Sequence, residues 1–406
     1  MDLSYGPEFE AFRGEVRAFL DQNWTDADRA SNPPSTGQAS LVGGFIRVDQ
    51  RATDFRIKAT ERGYLYRTVP RTYGGSEQGY DPIKSLIIGE EFRRAKAPGE
   101  VIGQGPSMLV PTLVEHGTPE QKEFFIRDTL LGKIKWCQGY SEPGSGSDLA
   151  SLRTRGELDG DFWVVNGQKI WTSNADDAEW MFCLVRTEPD APKHDGISYL
   201  LIDMKTPGID IRPLRQMTGE SDFSEVFLDN VRVPKKNIVG ERGRGWIVSR
   251  STLKHERALI GGSFITRRTF DGLQMVAQGL ELRGKPAIKD PIIRNRLVEL
   301  ESRLLASEYN GYRLLTLQAR GEEAGLAGMV MKLYSTQLGY DISKAAMDVL
   351  SDRAAEAGGE SNPMGMFVHA YMWSLGILIA GGTANIQRNI VAERGLGMPR
   401  DASTKR

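Results

Sequence analysis

Apolar residues near the N-terminus recur at the spacing of one helix face. The stripe consists of Phe9, Phe12, Val16, Phe19 and Leu20. Further along, Thr118-Pro-Glu-Gln121 combines a capping threonine, a proline at the first helical position and the glutamine of a capping box. These patterns predict helices from residue 6 to about residue 133, the last of them ending at Gly132.

Between residues 134 and 242 the apolar runs become short and are separated by Pro and Gly turns. The runs are WMFCLVRT, ISYLLIDM, IDIRPL and SEVFLDNVRV. In FWVVNGQKIW (162–171), two apolar runs flank Asn166-Gly167, so we expect a hairpin turn at this dipeptide. This block predicts a compact antiparallel β domain.

Helical periodicity returns after Gly245-Trp246 and continues to about residue 396. The stretch RNRLVELESRLLASEYNGYRLLTLQARG has heptad-like apolar spacing, which predicts antiparallel helices in a bundle. Gly395-Leu-Gly-Met-Pro399 should end the final helix. The chain therefore reads as an α+β protein with an N-terminal helical domain (1–133), a central β domain (134–242) and a C-terminal helical bundle domain (243–406).

The composition removes several classes of function. The chain has 406 residues and a net charge of -1, which gives no reason to expect nucleic acid as a partner. Its two cysteines and four scattered histidines offer neither a disulfide framework nor the spacing of a metal site. The charged N-terminus lacks the apolar core of a signal peptide, and no apolar run approaches 18 residues. We expect a cytoplasmic protein with no metal and no membrane insertion.

Two stretches of the β block contain candidate binding residues. SEPGSGSD (141–148) has closely spaced glycines and serines, which can cradle a phosphate or form an ordinary tight turn. Trp171-Thr-Ser-Asn174 places an indole beside hydroxyl groups, which suits a flat heteroaromatic cofactor or a simple strand end. Each stretch alone leaves both interpretations open.

Two stretches of the C-terminal block contain candidate catalytic groups. Glu256 lies in Lys254-His-Glu-Arg257 among apolar neighbours, where burial would raise its pKa and make it a base, unless it pairs with a nearby cation on the surface. GGTANIQRN (381–389) has two glycines before Thr383, which can expose N–H groups or act as a hinge.

Taken in order, these pieces resemble the acyl-CoA dehydrogenase family of flavoproteins along nearly the whole chain. The matching stretches are YGGSEQGYDPIKSLIIGEEFRRAKAP (73–98), HGTPEQKEFF (116–125), WCQGYSEPGSGSDLASL (136–152), NGQKIWTSNA (166–175), FSEVFLDNVRVP (223–234), GRGWIVSRSTLKHERA (243–258) and GGTANIQRNIVAERGLG (381–397). The resemblance implies a helical domain, a β domain and a four-helix bundle, with FAD between the last two.

The resemblance also implies roles for individual residues toward FAD. Gln138, Tyr140 and Ser141 would hold the flavin ring, and Trp171 would pack on it. Ser173 would lie near flavin N5, where the family usually has threonine, and the serine keeps the hydroxyl. Three further residues would contact phosphate groups: Ser147 in the phosphate and pantetheine region, and Thr383 and Asn385 near the flavin diphosphate.

The implied reaction is α,β-dehydrogenation of an acyl-CoA thioester, with electrons passed to an electron-transfer flavoprotein. Many members carry the catalytic glutamate where this chain has Gly381, which cannot act as a base. Other members carry it on the first long helix of the bundle before an arginine, which here corresponds to Glu256 and Arg257. We therefore expect Glu256 to be the base, Arg257 to orient it or the substrate, and the Gly381 N–H to bond the thioester oxygen.

Two departures from the family pattern motivate an alternative function. The Arg-x-x-Phe-Gly segment is replaced by Glu281-Leu-Arg-Gly284, and the Gln-x-x-Gly-Gly segment is not recognisable around 348–355. Both segments contact FAD across subunits, so the chain is either an active homotetramer or a non-catalytic or half-site subunit of a heterotetramer. An acyl-CoA oxidase-like enzyme is a third possibility, and the acyl group stays open.

Overall fold

The computed structural model describes residues 6–31, 49–260, 264–282, 284–355 and 364–399, without the side chains of Ser31, 257–260 and 264–265. Arg283, in the segment that replaces the family's Arg-x-x-Phe-Gly, therefore lies outside the described residues. The chain divides into two compact units. The first contains residues up to Gln216 together with Glu220–Glu256, and the second contains Met217–Gly219 together with the chain from Arg257 onward.

Several helices of the first unit begin at side-chain caps that the sequence makes recognisable. Thr118 and Gln121 form the expected capping box, and Asp49 and Asp81 cap two other helices. Val16 and Leu20 are buried, which confirms the predicted N-terminal stripe. The helices are α1 (Pro7–Asn23), α2 (Asp26–Ser31), α3 (Gln50–Glu61), α4 (Pro82–Arg94), α5 (Val110–His116), α6 (Pro119–Leu130) and the greater part of α7 (Gly245–Ile260).

The same unit contains one β-sheet. Its strands are β1 (Trp136–Gly139), β2 (Arg155–Asp159), β3 (Phe162–Ser173), β4 (Trp180–Arg186), β5 (Ile197–Asp203), β6 (Ile209–Leu214), β7 (Phe223–Pro234) and β8 (Ile238–Val239). They lie in the order β6-β7-β3-β2-β4-β5-β8, and β1 pairs with β4. One face of the sheet packs against the helices around Phe182 and Tyr199, and the other contains Trp163 and Val165.

The hairpin predicted at Asn166-Gly167 is wrong. β3 runs through this dipeptide, and the β2–β3 turn lies at Gly160, which has a φ of +57°. Opposite Asn166, β7 carries one extra residue, and Asn230 adopts a left-handed φ of +51°. Pairing of β3 with β7 along most of its length therefore overrides a local turn signal.

The sheet is mainly antiparallel, as expected, but it contains two parallel pairings. β1 pairs with β4 in parallel, from Trp136 opposite Trp180 to Gly139 opposite Cys183, and β2 also meets β4 in parallel at Arg155. These strands are not sequential neighbours, so no hairpin forces them to run in opposite directions. The remaining pairs of the sheet are antiparallel.

The second unit is helical, apart from a short pair of strands, β9 (Glu281–Leu282) and β10 (Lys285–Pro286). Its helices are α8 (Phe264–Gly279), α9 (Pro291–Ala319), α10 (Gly325–Met329), α11 (Met331–Leu350), α12 (Gly365–Ile379) and α13 (Ala384–Ile390). α11 is central, because it packs against α8, α9, α12 and α13. The long α9 confirms the heptad-like prediction, and its leucines 297, 300 and 304 are buried.

Within the described residues, no single helix is long and apolar enough to cross a membrane. One bent pair, Gly365–Ile379 with Ala384–Gly395, meets the same length and composition criteria.

Candidate active site

The end of β3 presents an aromatic ring outward. Between Lys169 and Thr172, β3 carries one residue more than β7, which is a β-bulge. Trp171 lies in this bulge with a left-handed φ of +58°, and its side chain is 59% exposed. A bulky residue rarely adopts this conformation, and such strain concentrates at functional sites. Among the aromatic groups described, Phe223 contacts the indole ring in a T-shaped arrangement, and more than half of the side chain stays accessible to a ligand.

Residues with hydroxyl groups follow Trp171 on β3, and another lies opposite on β7. Ser173 follows it on β3 and is buried, and the side chains of Thr172 and Ser224 lie on paired strand positions. Among the described residues, the buried hydroxyls of Thr172 and Ser224 have no hydrogen-bond partner. Buried hydroxyls usually have partners in native proteins, so this end of the strand can accept further polar contacts.

The loop Ser141–Asp148 is anchored beside the same strand. Glu142 and Ser145 exchange main-chain hydrogen bonds and close a tight turn. Glu142 accepts the N–H groups of Arg153 and Thr154 at 2.6 and 2.8 Å, and it pairs with Lys169 at 2.9 Å. The loop therefore forms a tight turn and also exposes glycine and serine residues. Both interpretations of its sequence, a turn and a phosphate-binding loop, are compatible with this geometry.

The buried ion pair with Lys169 affects the pKa of the Glu142 carboxyl. Burial opposes ionisation of Glu142, but the Lys169 ammonium and the N–H groups outweigh burial and lower the pKa of the carboxyl. Lys169 also donates to the carbonyl of Tyr140 at 3.2 Å, and Ser141 O accepts the N–H of Ile170 at 2.9 Å. The loop thus lies next to the strand segment that presents Trp171.

The strand before the loop points a side-chain amide at the predicted base. Gln138 Nε2 lies 3.4 Å from Glu256 Oε2, although 118 positions separate them in the chain. Glu256 is half-buried on α7. The structure therefore brings Gln138 and Glu256 together, while Arg257 has no described side chain.

Hydrogen bonds hold α7 in place just before Glu256. Thr252 bonds the hydroxyl groups of Thr112 and Tyr199 at 3.0 and 3.3 Å, and Ser251 bonds His116 at 2.9 Å. These contacts come from α5 and β5, which tie the helix to both layers of the first unit. They fix the part of the helix that carries Glu256.

The other expected flavin contacts of the first unit differ in accessibility. Ser147 is exposed and Ser141 is half-buried, so both hydroxyls can reach a ligand. The Tyr140 ring is only 4% exposed and packs edge-on against Phe182 and Tyr199. Burial raises the pKa of its hydroxyl well above the usual value, and any contact to a flavin would have to come from its main chain.

Gly381, Thr383 and Asn385 lie in the second unit, in and after the turn between α12 and α13. Gly381 and Gly382 have φ angles of +60° and +96°, and Thr383 caps α13 by accepting the N–H of Ile386. Asn385 is exposed and accepts a hydrogen bond from Arg388. Among the described residues, the Gly381 N–H has no hydrogen-bond acceptor, so it is available as a donor.

The sequence patterns did not predict which side chains hold the loop and the Glu256 carboxylate in place. Lys169 falls on the inward parity of β3 together with Trp163 and Val165, a signal that a buried partner exists. The contact of Gln138 with Glu256 has no comparable signal, because it joins a strand and a distant helix. No cluster of metal-binding type occurs in the described part of the chain.

Three family models match consecutive parts of this chain. They describe the N-terminal, middle and C-terminal domains of acyl-CoA dehydrogenases and match residues 6–133, 137–231 and 243–396. The chain belongs to the acyl-CoA dehydrogenase family. Members of this family are flavoproteins that bind FAD, and the predicted succession of helical, β and helical-bundle domains is confirmed.

Curated relatives agree with this assignment. The acyl-CoA dehydrogenase IpdE1 of Mycobacterium tuberculosis is 37% identical over 400 residues, which cover 97% of this chain and 99% of that protein. The acyl-CoA dehydrogenase FadE34 of the same organism is 39% identical over 347 residues, but these are only 46% of its length. The chain is therefore an acyl-CoA dehydrogenase, an oxidoreductase acting on CH–CH groups.

Solved structures share the fold along the whole chain. The Tcur3481-Tcur3483 steroid ACAD has a TM-score of 0.76 and 28% identity, covering 99% of this chain and 100% of that one. The ChsE4-ChsE5 complex from Mycobacterium tuberculosis has a TM-score of 0.74 and 29% identity, also covering 99% and 100%. Both structures are named after two proteins.

Proposed function

We propose that this chain catalyses the FAD-dependent α,β-dehydrogenation of an acyl-CoA thioester with Glu256 as the base. The contact between Glu256 and the Gln138 amide carries this proposal, because the carboxylate is held beside β1, the strand that precedes the loop Ser141–Asp148. A hydrogen bond from this amide orients the carboxylate.

The residues at the end of β3 fit a flavin. The exposed Trp171 side chain suits the face of a flat heteroaromatic group. The hydroxyls of Thr172 and Ser224, which have no hydrogen-bond partner within the described part of the chain, leave polar capacity beside it. Ser141 and Ser173 supply two further hydroxyls along the same edge. Ser147 and the open glycines 144 and 146 suit phosphate oxygens, since a group approaching them meets no neighbouring side chain.

In the proposed reaction, bound FAD supplies the hydride acceptor for the substrate β-carbon. Glu256 accepts the α-proton on a carboxylate oxygen, while Gln138 keeps that carboxylate oriented. The Gly381 N–H holds the thioester oxygen and stabilises the negative charge that develops there, a role that needs no side chain. Arg257 would orient Glu256 or the substrate, and Thr383 and Asn385 would contact the flavin diphosphate.

Substitution of Glu256 by glutamine tests the base. The variant should bind FAD with an unchanged visible spectrum, and anaerobic bleaching of the flavin by substrate should slow by about 10²- to 10⁴-fold. Glu241→Gln is a matched control, because this exposed glutamate precedes α7 and has no described contact with Gln138 or with the loop Ser141–Asp148. Bleaching of Glu256→Gln at the parent rate would show that another group removes the proton.

The names of the structural relatives suggest a bulky, steroid-derived acyl group. The Tcur3481-Tcur3483 relative is called a steroid ACAD, and this chain shares its fold over its full length. A panel of straight-chain, branched and steroid-derived acyl-CoA thioesters, scored by anaerobic bleaching, tests this class. Faster bleaching by straight-chain thioesters than by steroid-derived ones would reject it.

The proposed electron acceptor is an electron-transfer flavoprotein. Reduced enzyme should transfer electrons to purified electron-transfer flavoprotein much faster than to oxygen. Rapid turnover with oxygen alone would instead indicate an oxidase-like enzyme.

We propose that the chain assembles as a homotetramer, with a half-site subunit of a heterotetramer as the alternative. α12 is apolar on nearly every side, yet Phe367, Ala370 and Ser374 are its buried residues, while Met366 and Ile379 are about half or more exposed. An apolar helix with exposed faces is typical of an assembly surface. The structural relatives are each named after two proteins, which favours the alternative. Purifying the chain alone separates the two, since a colourless protein would support the heterotetramer.

A further inference from the structure

Two buried side chains hold the turn between α12 and α13, and neither takes part in the chemistry proposed above. We infer that Lys332 and Gln387 are positioning residues, which fix the main chain around Gly381 so that its N–H keeps one direction. This inference rests on the proposed function for the target of that N–H, the thioester oxygen. The contacts themselves are properties of the turn.

Lys332 joins the end of one helix to the turn. It lies at the start of α11, is 3% exposed, and its Nζ donates to Gly382 O at 2.7 Å and to Leu378 O at 3.3 Å. Leu378 belongs to the last turn of α12, where carbonyl groups lack partners within the helix. A cation at this end also interacts favourably with the helix dipole. One ammonium group therefore ties α11, α12 and the turn together.

Gln387 holds the neighbouring carbonyl from the other side. It is 2% exposed, and its Nε2 donates to Gly381 O at 3.0 Å. A Cβ atom at Gly382 would lie 2.6 Å from that same nitrogen, so the contact requires glycine at this position. The carbonyls of two consecutive glycines are thus each held by a different buried side chain.

The Gly381 N–H lies between two held groups. On one side, the Ala380 N–H donates to Gly376 O at 2.9 Å in the last turn of α12. On the other side, Gly381 O is held by Gln387. Glycine has few steric limits on its backbone angles, so without these contacts the Gly381 N–H could rotate through a wide range. A donor that stabilises developing charge must already point at it before the reaction.

Hydrogen exchange of the ligand-free protein tests the holding contacts without any activity measurement. Lys332→Met and Gln387→Met keep unbranched side chains of similar length but remove the donors. We expect amides in the segment 376–389 to exchange about tenfold faster in both variants, because the local opening becomes easier. Lys344→Met is the matched control, since Lys344 is an exposed lysine on the same helix, and its exchange in this segment should equal the parent's.

Flavin reduction kinetics test the positioning role. Both Met variants should lower the limiting rate of flavin reduction by about 10- to 100-fold, while KM changes much less, because the misdirected donor acts mainly on the transition state. Lys344→Met should reduce at the parent rate. Gln387→Met preserves the test if Lys332→Met does not fold.

The outcomes separate this inference from the proposed function. Parent-like exchange in both Met variants would reject the holding contacts, whatever the activity. Faster exchange with an unchanged limiting rate would show that the contacts are structural only, which also overturns the positioning role. Failure of any acyl-CoA to bleach the parent protein would reject the proposed function instead, and the exchange experiment would still decide the contacts.

Discussion

The loop Ser141–Asp148 and the turn between α12 and α13 both depend on a buried lysine, but the two lysines hold different chemical groups. Lys169 is fully buried and pairs with the Glu142 carboxylate as well as a carbonyl. Lys332 is almost as buried, and its described contacts at the turn are the carbonyls of Leu378 and Gly382. One lysine belongs to a buried ion pair within a sheet, and the other fixes peptide groups at the end of a helix.

This difference predicts different consequences when each lysine is removed. Without Lys169, the Glu142 charge would remain inside the sheet with only N–H donors, which is costly for the whole unit. Without Lys332, the freed carbonyls lie in a turn whose residues are partly exposed, so water can reach them. A charged partner makes a lysine important for folding, whereas carbonyl partners make it important for local geometry.

The largest expected effect is that of Lys169→Met. The free energy of unfolding should fall by about 3–5 kcal/mol, because one member of a buried pair is lost. Chemical denaturation measures this, with Lys193→Met as control, since Lys193 pairs with Asp148 of the same loop at the exposed surface. The control should change stability by less than about 1 kcal/mol. If Lys169→Met and Lys193→Met were equally stable, the buried ion pair of Lys169 would be no more important for folding than the exposed pair of Lys193.

A smaller, pH-dependent effect is expected for Glu142→Gln, about 1–3 kcal/mol near neutral pH. Burial acts against ionisation of Glu142, but Lys169 lowers its pKa below the ordinary 4.5, so folding gains stability from the charge above pH 4.5. This contribution is lost as the pH falls from 4.5 through the lower folded pKa. The stability difference between parent and variant should therefore shrink below pH 4.5.

Glu91 titrates in the same acidic range, and its effect cancels in that comparison. Burial opposes its ionisation, but Arg17, Arg13 and Arg94 lower its pKa to about 2. Both proteins contain it, so the difference between them reports Glu142. A difference that stays constant between pH 7 and pH 3 would show that the charge of Glu142 does not stabilise the fold.

The smallest expected change in global stability is that of Lys332→Met, about 1 kcal/mol, because its hydrogen bonds to Leu378 and Gly382 lie at a partly exposed turn. Chemical denaturation should show an unchanged m-value and a small shift of the midpoint. A loss of unfolding free energy as large as that of Lys169→Met would mean that Lys332 is as important for global folding as Lys169.

Local sequence signals predicted the parts of the fold that depend on neighbours in the chain. The capping box of Thr118 and Gln121, the stripe of α1 and the long α9 all follow from residues within a few turns of one another. The order of helical, β and helical blocks along the chain predicted the succession of domains. The boundaries at residues 133 and 242 stay predictions.

Features that depend on distant pairing were not predictable. Asn166-Gly167 has the sequence of a hairpin turn, but its partner strand begins more than fifty residues later and keeps β3 extended. The outward turn of Trp171 follows from the same pairing. The contacts of Gln138 with Glu256 and of Lys332 with Gly382 join separate elements, so no local pattern contains them. The roles of the site residues therefore remain predictions.

The bulge at Trp171 restricts insertions and deletions in β3. In a regular strand, Trp171 would share the inward face with Val165 and Lys169, and the one extra residue reverses this. The earlier irregularity adds one residue to β7 instead, so the two offsets cancel and the strand ends meet in register. Deleting Ile170 would remove the bulge, place Trp171 opposite Glu225 as a regular strand residue and abolish its left-handed conformation, without unpairing the sheet. In related sequences, we expect length changes here to be absent or to occur in both strands together.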